Sequence, residues 1–474
     1  MSTSISCTTE SAAAGAKKAS EQSFFTPAPV EVLREVVRRY GTPVYAYDIS
    51  RIRAQAAKLR EHLPQEVEVL YSLKANASLG LCGVLAECGL GADVASAGEL
   101  TTALAAGFPR DRIFLTGPDR SPAVLAQLRS LPDVVISVDS ASELRLLAKA
   151  EVRQRALLRL RPDFCSYATC AAGPDSRFGL TFDELTPCRS WLASPGQESG
   201  AGTQASGARG QEIESTTHHS PLTTHSWPKL KVIGFHVFSG SQILSAEGII
   251  HHLRGGVDLA LRAAKELGIA AEFIDLGGGF GIPYAPEDSE PDLALIGAEL
   301  RALAKRAAPA RLVLELGRYL VAQSGWYLTS VLAQQTHRGR PAVVVDGGTH
   351  QRGDMCGLGL RHKGFSPAVI SVTPAREARG FVPTDVLGCL SLPSDVLAEA
   401  RLLPPLAPGD VLAFPNAGAY GLGASPWIFH GHPAPAEAAF EGTEIQPLRL
   451  RQSPETVLDG QIPVPKEAGN NCRQ

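Results

Sequence analysis

The chain has 474 residues, more than the ~100–200 of a usual single domain, so two domains with additional segments are expected. Lys and Arg number 45 against 48 Asp and Glu, a formal charge of −3; nucleic-acid binding and polybasic membrane binding need a clear positive excess, so the balance argues against both. Hydrophobic residues make up 44%, enough for a large core, and no apolar run approaches the ~18 residues that span a bilayer.

Residues 1–23 are polar and small and read as a disordered leader. They lack the apolar stretch of a secretory signal, which predicts a cytoplasmic protein. In the N-terminal segment 24–49, TPVYAYD (42–48) is a strand candidate expected to contribute to a later β domain. From residue 50 to 325, β-rich runs alternate with Ala/Leu-rich helical runs. The strand candidates are EVEVLYSLKA (66–75), GADVAS (91–96), RIFLTG (112–117), VVISVD (134–139), ALLRLRP (156–162), KVIGFHVFSG (231–240), AEFIDLGGG (271–279) and RLVLELGRYL (311–320). Helices are expected between them, among them 96–107 and 253–268. Eight such repeats over ~250 residues give the α/β arithmetic of a (β/α)8 barrel, with an open doubly wound sheet as the competing layout. Residues 195–228, rich in Gly, Ser and Thr, read as a flexible insertion.

From residue 326 to 451 the texture changes. WYLTSVLAQQ (326–335), PAVVVDGG (341–348), DVLGCL (385–390) and DVLAFPNAGAYG (410–421), separated by turns, predict a C-terminal β domain, and 452–474 a loose tail. The nine cysteines are Cys7, Cys82, Cys88, Cys165, Cys170, Cys188, Cys356, Cys389 and Cys472. No CxxC pair occurs, so reduced thiols are expected, without a zinc ribbon or a disulfide framework. His218, His219 and His225 in the insertion invite a metal reading, but no acidic or Cys partner stands at ligand spacing, and no metal is expected.

Barrel enzymes place reactive groups at the carboxyl ends of strands. Lys74 stands there on the first barrel strand. Desolvation between Leu73 and Ala75 would lower its pKa and free the amine to attack an aldehyde; the plainer reading is a surface lysine. His236, ending the sixth strand, reads as a core histidine or as a flat ring stacked on an aromatic cofactor, with Ser239 offering a hydroxyl to a phosphate. Gly277, Gly278 and Gly279 follow the seventh strand and leave backbone N–H groups free to converge on a phosphate; the alternative is a plain tight turn. Glu315 and Arg318 end the eighth as a carboxylate and cation beside that loop, or as a surface ion pair. Together, at one end of four strands, they describe a pocket for a phosphorylated aromatic aldehyde, and pyridoxal 5′-phosphate needs that set.

The sequence resembles the barrel-type (fold type III) pyridoxal-phosphate decarboxylases that act on ornithine, lysine, arginine and diaminopimelate. The motifs are YSLKANAS, GADVASAGEL, GFHVFSGSQ, DLGGGFGIPY, ELGRYL, VDGGTH and NAGAYGLGASP, in the family's order over roughly residues 40–440. FSGSQ, GGGFGIPY and HPAPAE (432–437) are most similar to a branch that includes a decarboxylase of glutamyl groups on an acyl carrier protein and exosortase-associated members. The resemblance implies an alanine racemase-like barrel with a C-terminal β domain. It implies an internal aldimine at Lys74, with Asp93 beside it, and His236 stacked on the ring. Ser239, Gly277, Gly278, Gly279, the backbone at Gly317 and Arg318, and Tyr420 would hold the phosphate. Glu315 would hold the pyridine nitrogen, and Asp346 would contact the substrate's far end. It further implies a homodimer with shared active sites, the β domain of one subunit completing the other's pocket.

Two departures bear on function. The family's Gly-Pro-x-Cys segment, whose cysteine delivers a proton, is GCLSLPSD (388–395) here. Ser391 stands in the cysteine's place and Cys389 in the proline's; the two share a face of an extended chain. Either Ser391 relays a proton from water, or Cys389 reaches in, or protonation is impaired. The acidic residue that holds a distal amine is replaced by Leu392, and the arginine and tyrosine that grip a second carboxylate have no match in 349–360. An unpartnered buried amine is costly, so a neutral or thioester-linked far end is expected. The resulting expectation is a carboxy-lyase that removes the α-carboxylate of an amino acid or carrier-linked amino-acyl group. The alternatives are diaminopimelate decarboxylase, a racemase on the same fold, or a non-catalytic homologue that binds the cofactor.

Overall fold

A computed structural model describes residues 29–150, 152–164, 173–185, 230–285, 287–354, 368–374 and 380–464. The leader 1–23, the insertion 195–228 with His218, His219 and His225, the end of the tail, and Cys7, Cys165, Cys170, Cys188, Cys356 and Cys472 lie outside the described residues.

Strands β2 (Val67–Ser72), β3 (Gly91–Val94), β4 (Ile113–Leu115), β5 (Val135–Val138), β6 (Arg155–Leu160), β7 (Lys231–Val237), β8 (Phe273–Asp275) and β9 (Arg311–Leu316) form a closed parallel barrel, β9 pairing back onto β2. This is the expected (β/α)8 architecture. Because side chains alternate along a strand, one set fills the interior and the other meets the helices. Leu70, Phe114, Val135, Leu157, Ile233 and Val313 form the inner cluster, with Phe114 edge-on to Phe273 at 5.8 Å between centroids. The barrel is therefore plugged by a packed core, and only its rim is free for chemistry.

The helices begin where capping side chains allow. Ser96 accepts from Glu99 N at the start of Ala97–Ala105, and Asp292 accepts from Ala294 N and Leu295 N at the start of Leu293–Ala307. The helix expected over 253–268 runs instead over Ala246–Leu267. Ser245 caps its first turn, and Gly268, at φ 68°, closes it in the left-handed conformation that glycine tolerates. Two strands are shorter than their β-rich composition suggested. β2 stops at Ser72, and a 3-10 turn, Leu73–Ala75, carries Lys74. β8 stops at Asp275, because Gly277 and Gly279 take φ of 63° and 107°.

The second sheet is built from β1 (Val44–Asp48), β10 (Gly325–His337), β11 (Arg340–Val345), β12 (Ile370–Ser371), β13 (Val382–Leu387), β14 (Val396–Leu403), β15 (Val411–Phe414), β16 (Ala436–Glu441) and β17 (Glu444–Arg449). Its order is β14-β13-β11-β10-β1-β16-β17, with β15 pairing β10 and β12. β1 precedes the barrel in sequence yet lies inside this sheet, antiparallel to β10 and parallel to β16. A helix, Val30–Tyr40, lays Leu33 and Val36 against Val44, Trp326, Ala438 and Phe440. Among the described residues no helix is long and apolar enough to cross a membrane.

Candidate active site at the barrel rim

The turn after β2 buries Leu73 and Ala75 and projects Lys74 over the carboxyl ends of the strands. Lys74 Nζ donates to Asp93 Oδ2 at 3.1 Å, and Ser72 Oγ donates to the same oxygen at 2.7 Å. Thr116 Oγ1 donates to the other carboxylate oxygen. The Lys74 side chain is 46% exposed, facing the cleft, whereas Asp93 is 2% exposed. Burial pulls the ammonium pKa down, but Asp93, Glu315 and Tyr420 outweigh it and the net direction is upward. This corrects the sequence expectation of a lowered value: desolvation acts as foreseen, and two neighbouring carboxylates reverse its sign.

β7, β8 and β9 bring His236, Asp275 and Glu315 to one point, their ligand-type atoms within 4.8 Å of one another. His236 Nδ1 pairs with Ser137 Oγ at 2.8 Å, and its Nε2 lies 3.7 Å from Glu315 Oε2. Asp275 Oδ1 accepts from Gly277 N at 2.8 Å. Burial, above all, raises the pKa of both carboxyls; the charges of Asp275 and Asp93 raise Glu315 further, and that of Asp93 raises Asp275. Burial likewise holds His236 well below the usual imidazole value, aided by Arg159 and Lys74, and keeps the ring neutral.

The glycine loop lies against β9. A Cβ on Gly278 would stand 2.0 Å from the Glu315 carbonyl oxygen, and one on Gly317 would stand 2.8 Å from Ala75 Cβ. Side chains are excluded there, and a ligand can approach the backbone closely. Ser239 Oγ contacts His252 Nδ1, while His252 Nε2 lies 2.6 Å from the Leu276 carbonyl. A carbonyl only accepts, so Nε2 carries the His252 proton and Ser239 donates to Nδ1. Arg318 donates to Tyr284 Oη at 2.8 Å, and its guanidinium lies 4.7 Å from the centre of the Tyr420 ring. Tyr420 comes from the loop after β15 and is fastened to the lysine turn by Tyr420 N donating to Ala75 O at 2.7 Å.

The resulting cleft is lined by Lys74, Gly278, Gly279, Glu315, Arg318 and Tyr420 among others. Glu315 Oε1, in its lining, and the neighbouring His236 Nε2 are buried without a hydrogen-bond partner. An unpaired carboxylate oxygen suits a protonated ring nitrogen, and the glycine cradle suits a phosphate. The donor set therefore fits pyridoxal phosphate.

Of the residues singled out in sequence, Lys74, Asp93, His236, Ser239, Gly277, Gly278, Gly279, Glu315, Gly317, Arg318 and Tyr420 gather at this rim. Asp346, Cys389 and Ser391 are not among the residues lining the chain's own cleft. Both Asp346 oxygens are taken locally, one by Thr42 Oγ1 at 2.5 Å and the other by Ser330 N at 2.9 Å. Cys389 is half-buried and Ser391 exposed. Ser72, Thr116, Asp275 and His252 escaped the sequence reading. Asp275 and Thr116 had a usable signal, since Asp275 ends a barrel strand and Thr116 directly follows one. His252 sits inside the helix whose first turns were not foreseen.

Residues 49–199 and 201–322 match the family of pyridoxal-dependent decarboxylases through its pyridoxal binding domain. The chain is 30% identical to an L-glutamyl-(BtrI acyl-carrier protein) decarboxylase of Niallia circulans, over 90% of this chain and 95% of that one. It is also 30% identical to a diaminopimelate decarboxylase of Methanothermobacter thermautotrophicus, over 90% and 93%. The crystal structure of diaminopimelate decarboxylase from Helicobacter pylori complexed with L-lysine shares the fold, with a TM-score of 0.75 at 24% identity, over 90% of this chain and 98% of that one.

Proposed function

The chain belongs to the pyridoxal-dependent decarboxylases, and from that premise we propose that it removes the α-carboxylate of an amino-acyl group whose far end is neutral or carrier-linked. The observation that carries the decarboxylase reading is the buried, unpaired Glu315 Oε1 beside Lys74 and the glycine cradle. When bound, pyridoxal phosphate supplies an electrophilic aldehyde and a ring that takes up the electron pair left by departing carbon dioxide.

The chain's own residues prepare that chemistry. Lys74 offers the amine, and Asp93 accepts its hydrogen bond and holds its proton nearby. Glu315, buried beside Asp275, is placed to hold a ring nitrogen protonated, and neutral His236 offers a flat face without a competing charge. Gly277, Gly278, Gly279, the Gly317–Arg318 backbone, Ser239 and Tyr420 are assigned to the phosphate. The plugged barrel below and the aromatic side chains Phe238 and Phe280 at the cleft limit water at the reacting centre.

The far end of the substrate is assigned from Leu392, which is 42% exposed on the β-domain loop. An apolar side chain there gives a distal ammonium no partner. The similarity to the glutamyl-carrier decarboxylase points the same way. We further assign a homodimer in which loop 388–392 of each subunit completes the other's cleft and supplies the proton donor. Exposed Leu392, Ile428 and Phe429 support it. Free Cys82, Cys88 and Cys389 support a reducing, cytoplasmic setting.

The test is carbon dioxide release from an L-glutamyl thioester on a carrier protein, set against free glutamate, ornithine, lysine and meso-diaminopimelate. Preference for the carrier-linked group is expected. Preference for meso-diaminopimelate would overturn the substrate assignment, and release from none would leave a cofactor-binding homologue.

A further inference from the structure

A second cluster of metal-ligand side chains stands in the β domain, apart from the cleft. His350 lies on a 3-10 turn (Thr349–Gln351) after β11, Cys389 follows β13, and His432 precedes β16. Three separate segments thus deliver one ligand atom each, all within 4.8 Å of one another. Cys389 Sγ is 3.9 Å from His432 Nε2, and the His350 and His432 rings are 4.6 Å apart between centroids. His350 is 2% exposed, and neither of its ring nitrogens has a hydrogen-bond partner. A buried imidazole with both nitrogens unpaired is rare in folded proteins and demands a ligand.

The surroundings hold these ligands in place. Asp395 Oδ1 accepts from Thr349 N at 2.7 Å and from Thr349 Oγ1 at 2.8 Å, and its Oδ2 accepts from Leu390 N at 2.8 Å. One carboxylate therefore clamps the residue before His350 to the residue after Cys389. Cys389 N donates to Gly347 O at 3.0 Å. A Cβ on Gly348 would lie 2.8 Å from His350 Nδ1, and one on Gly388 would lie 2.0 Å from Asp395 Oδ2. Both glycines are needed for the segments to come this close.

We propose that His350, Cys389 and His432 bind a divalent transition-metal ion of the zinc class. One thiolate and two imidazoles form a borderline-soft donor set that selects zinc over magnesium or calcium. Three protein ligands, two of them only half-buried, leave a fourth position for water or an added ligand. As the sulfur–metal bond forms, the Cys389 thiol releases its proton to solvent, and no oxidation state changes. Cys389 then acts as a ligand, and Ser391, exposed two residues on, is left as the loop's proton relay. The site uses none of the residues lining the chain's own cleft, and metal binding is read without turnover, so its failure and that of the decarboxylase reading are distinguishable.

The test is metal analysis of the full-length protein, followed by Co²⁺ titration of the Lys74→Ala chain, in which cofactor colour does not overlap the spectrum. One Co²⁺ per chain is expected, with a sulfur-to-cobalt charge-transfer band and tetrahedral visible bands, both displaced by Zn²⁺. Cys389→Ala should abolish the charge-transfer band, and His432→Gln should weaken binding by more than about tenfold. His432 is half-buried, so its variant keeps the fold, which circular dichroism checks. Absence of a stoichiometric cobalt spectrum, or binding unchanged in both variants, would overturn the proposal.

Discussion

His236 Nε2 stands 3.7 Å from Glu315 Oε2, with both side chains buried and the imidazole held neutral. A neutral ring beside a buried carboxyl with an unpaired oxygen leaves Glu315 as the group that sets the charge on a bound ring nitrogen. Glu315→Gln replaces that acceptor with an amide of the same shape. Turnover is expected to fall by roughly 10²–10³-fold, the usual scale for losing a preorganised electrostatic partner. Steady-state kcat beside the absorbance of bound cofactor checks this, and unchanged turnover would remove Glu315 from the mechanism.

His252 gives a stability prediction. Burial lowers its pKa from 6.5 to about 4. For a depressed pKa, the stabilisation is present above the unfolded value of 6.5 and is lost as pH falls through about 4. The gap corresponds to roughly 3 kcal/mol. Melting temperature should therefore drop on acidification through this window, and His252→Gln should show a shallower drop. An identical slope in the two proteins would contradict the assignment. His236 and His350 shift in the same direction, so the slope should persist in part.

The glycine cradle is tested by Gly278→Ala. The new methyl would meet the Glu315 carbonyl oxygen 2.0 Å away, backbone against backbone. Forced overpacking of this kind costs about 1–3 kcal/mol. A lower melting temperature is expected together with weaker retention of pyridoxal phosphate on dialysis. Gly83→Ala, where an added Cβ meets nothing within 4 Å, is the control and should leave retention unchanged.

The β-domain loop separates two candidate proton donors. Burial raises the Cys389 thiol to about 11, and Cys389 faces His432, whereas Ser391 is exposed. Ser391→Ala is expected to misdirect the proton and yield abnormal carbonyl products, detectable by mass spectrometry, while Cys389→Ala keeps the normal amine. The reverse outcome would move the donor to Cys389.

The barrel was legible because β-rich runs and helical runs alternate eight times, and its strand ends could be read for reactive residues. The β domain was less so. β14, VLAEARLL, has the composition of a helix and is a strand only through pairing with β13. β16, AEAAFE, is alanine-rich because Ala438 and Ala439 are fully buried in a sheet where it lies between β1 and β17. At the site, Lys74 was found, but the sign of its pKa shift was not. That sign depends first on Asp93, on the neighbouring strand β3, and then on Glu315, which is distant in sequence and brought near only by the closure of β9 onto β2. The His350–Cys389–His432 cluster shows no ligand spacing along the chain, because the fold assembles it from three loops.

The most direct measurement is borohydride reduction of the purified full-length protein, followed by peptide mass spectrometry. The geometry predicts a single phosphopyridoxyl adduct, on Lys74, and none in Lys74→Ala. An adduct on any other lysine, or none on a protein supplied with pyridoxal phosphate, would contradict the placement of the cofactor at the barrel rim.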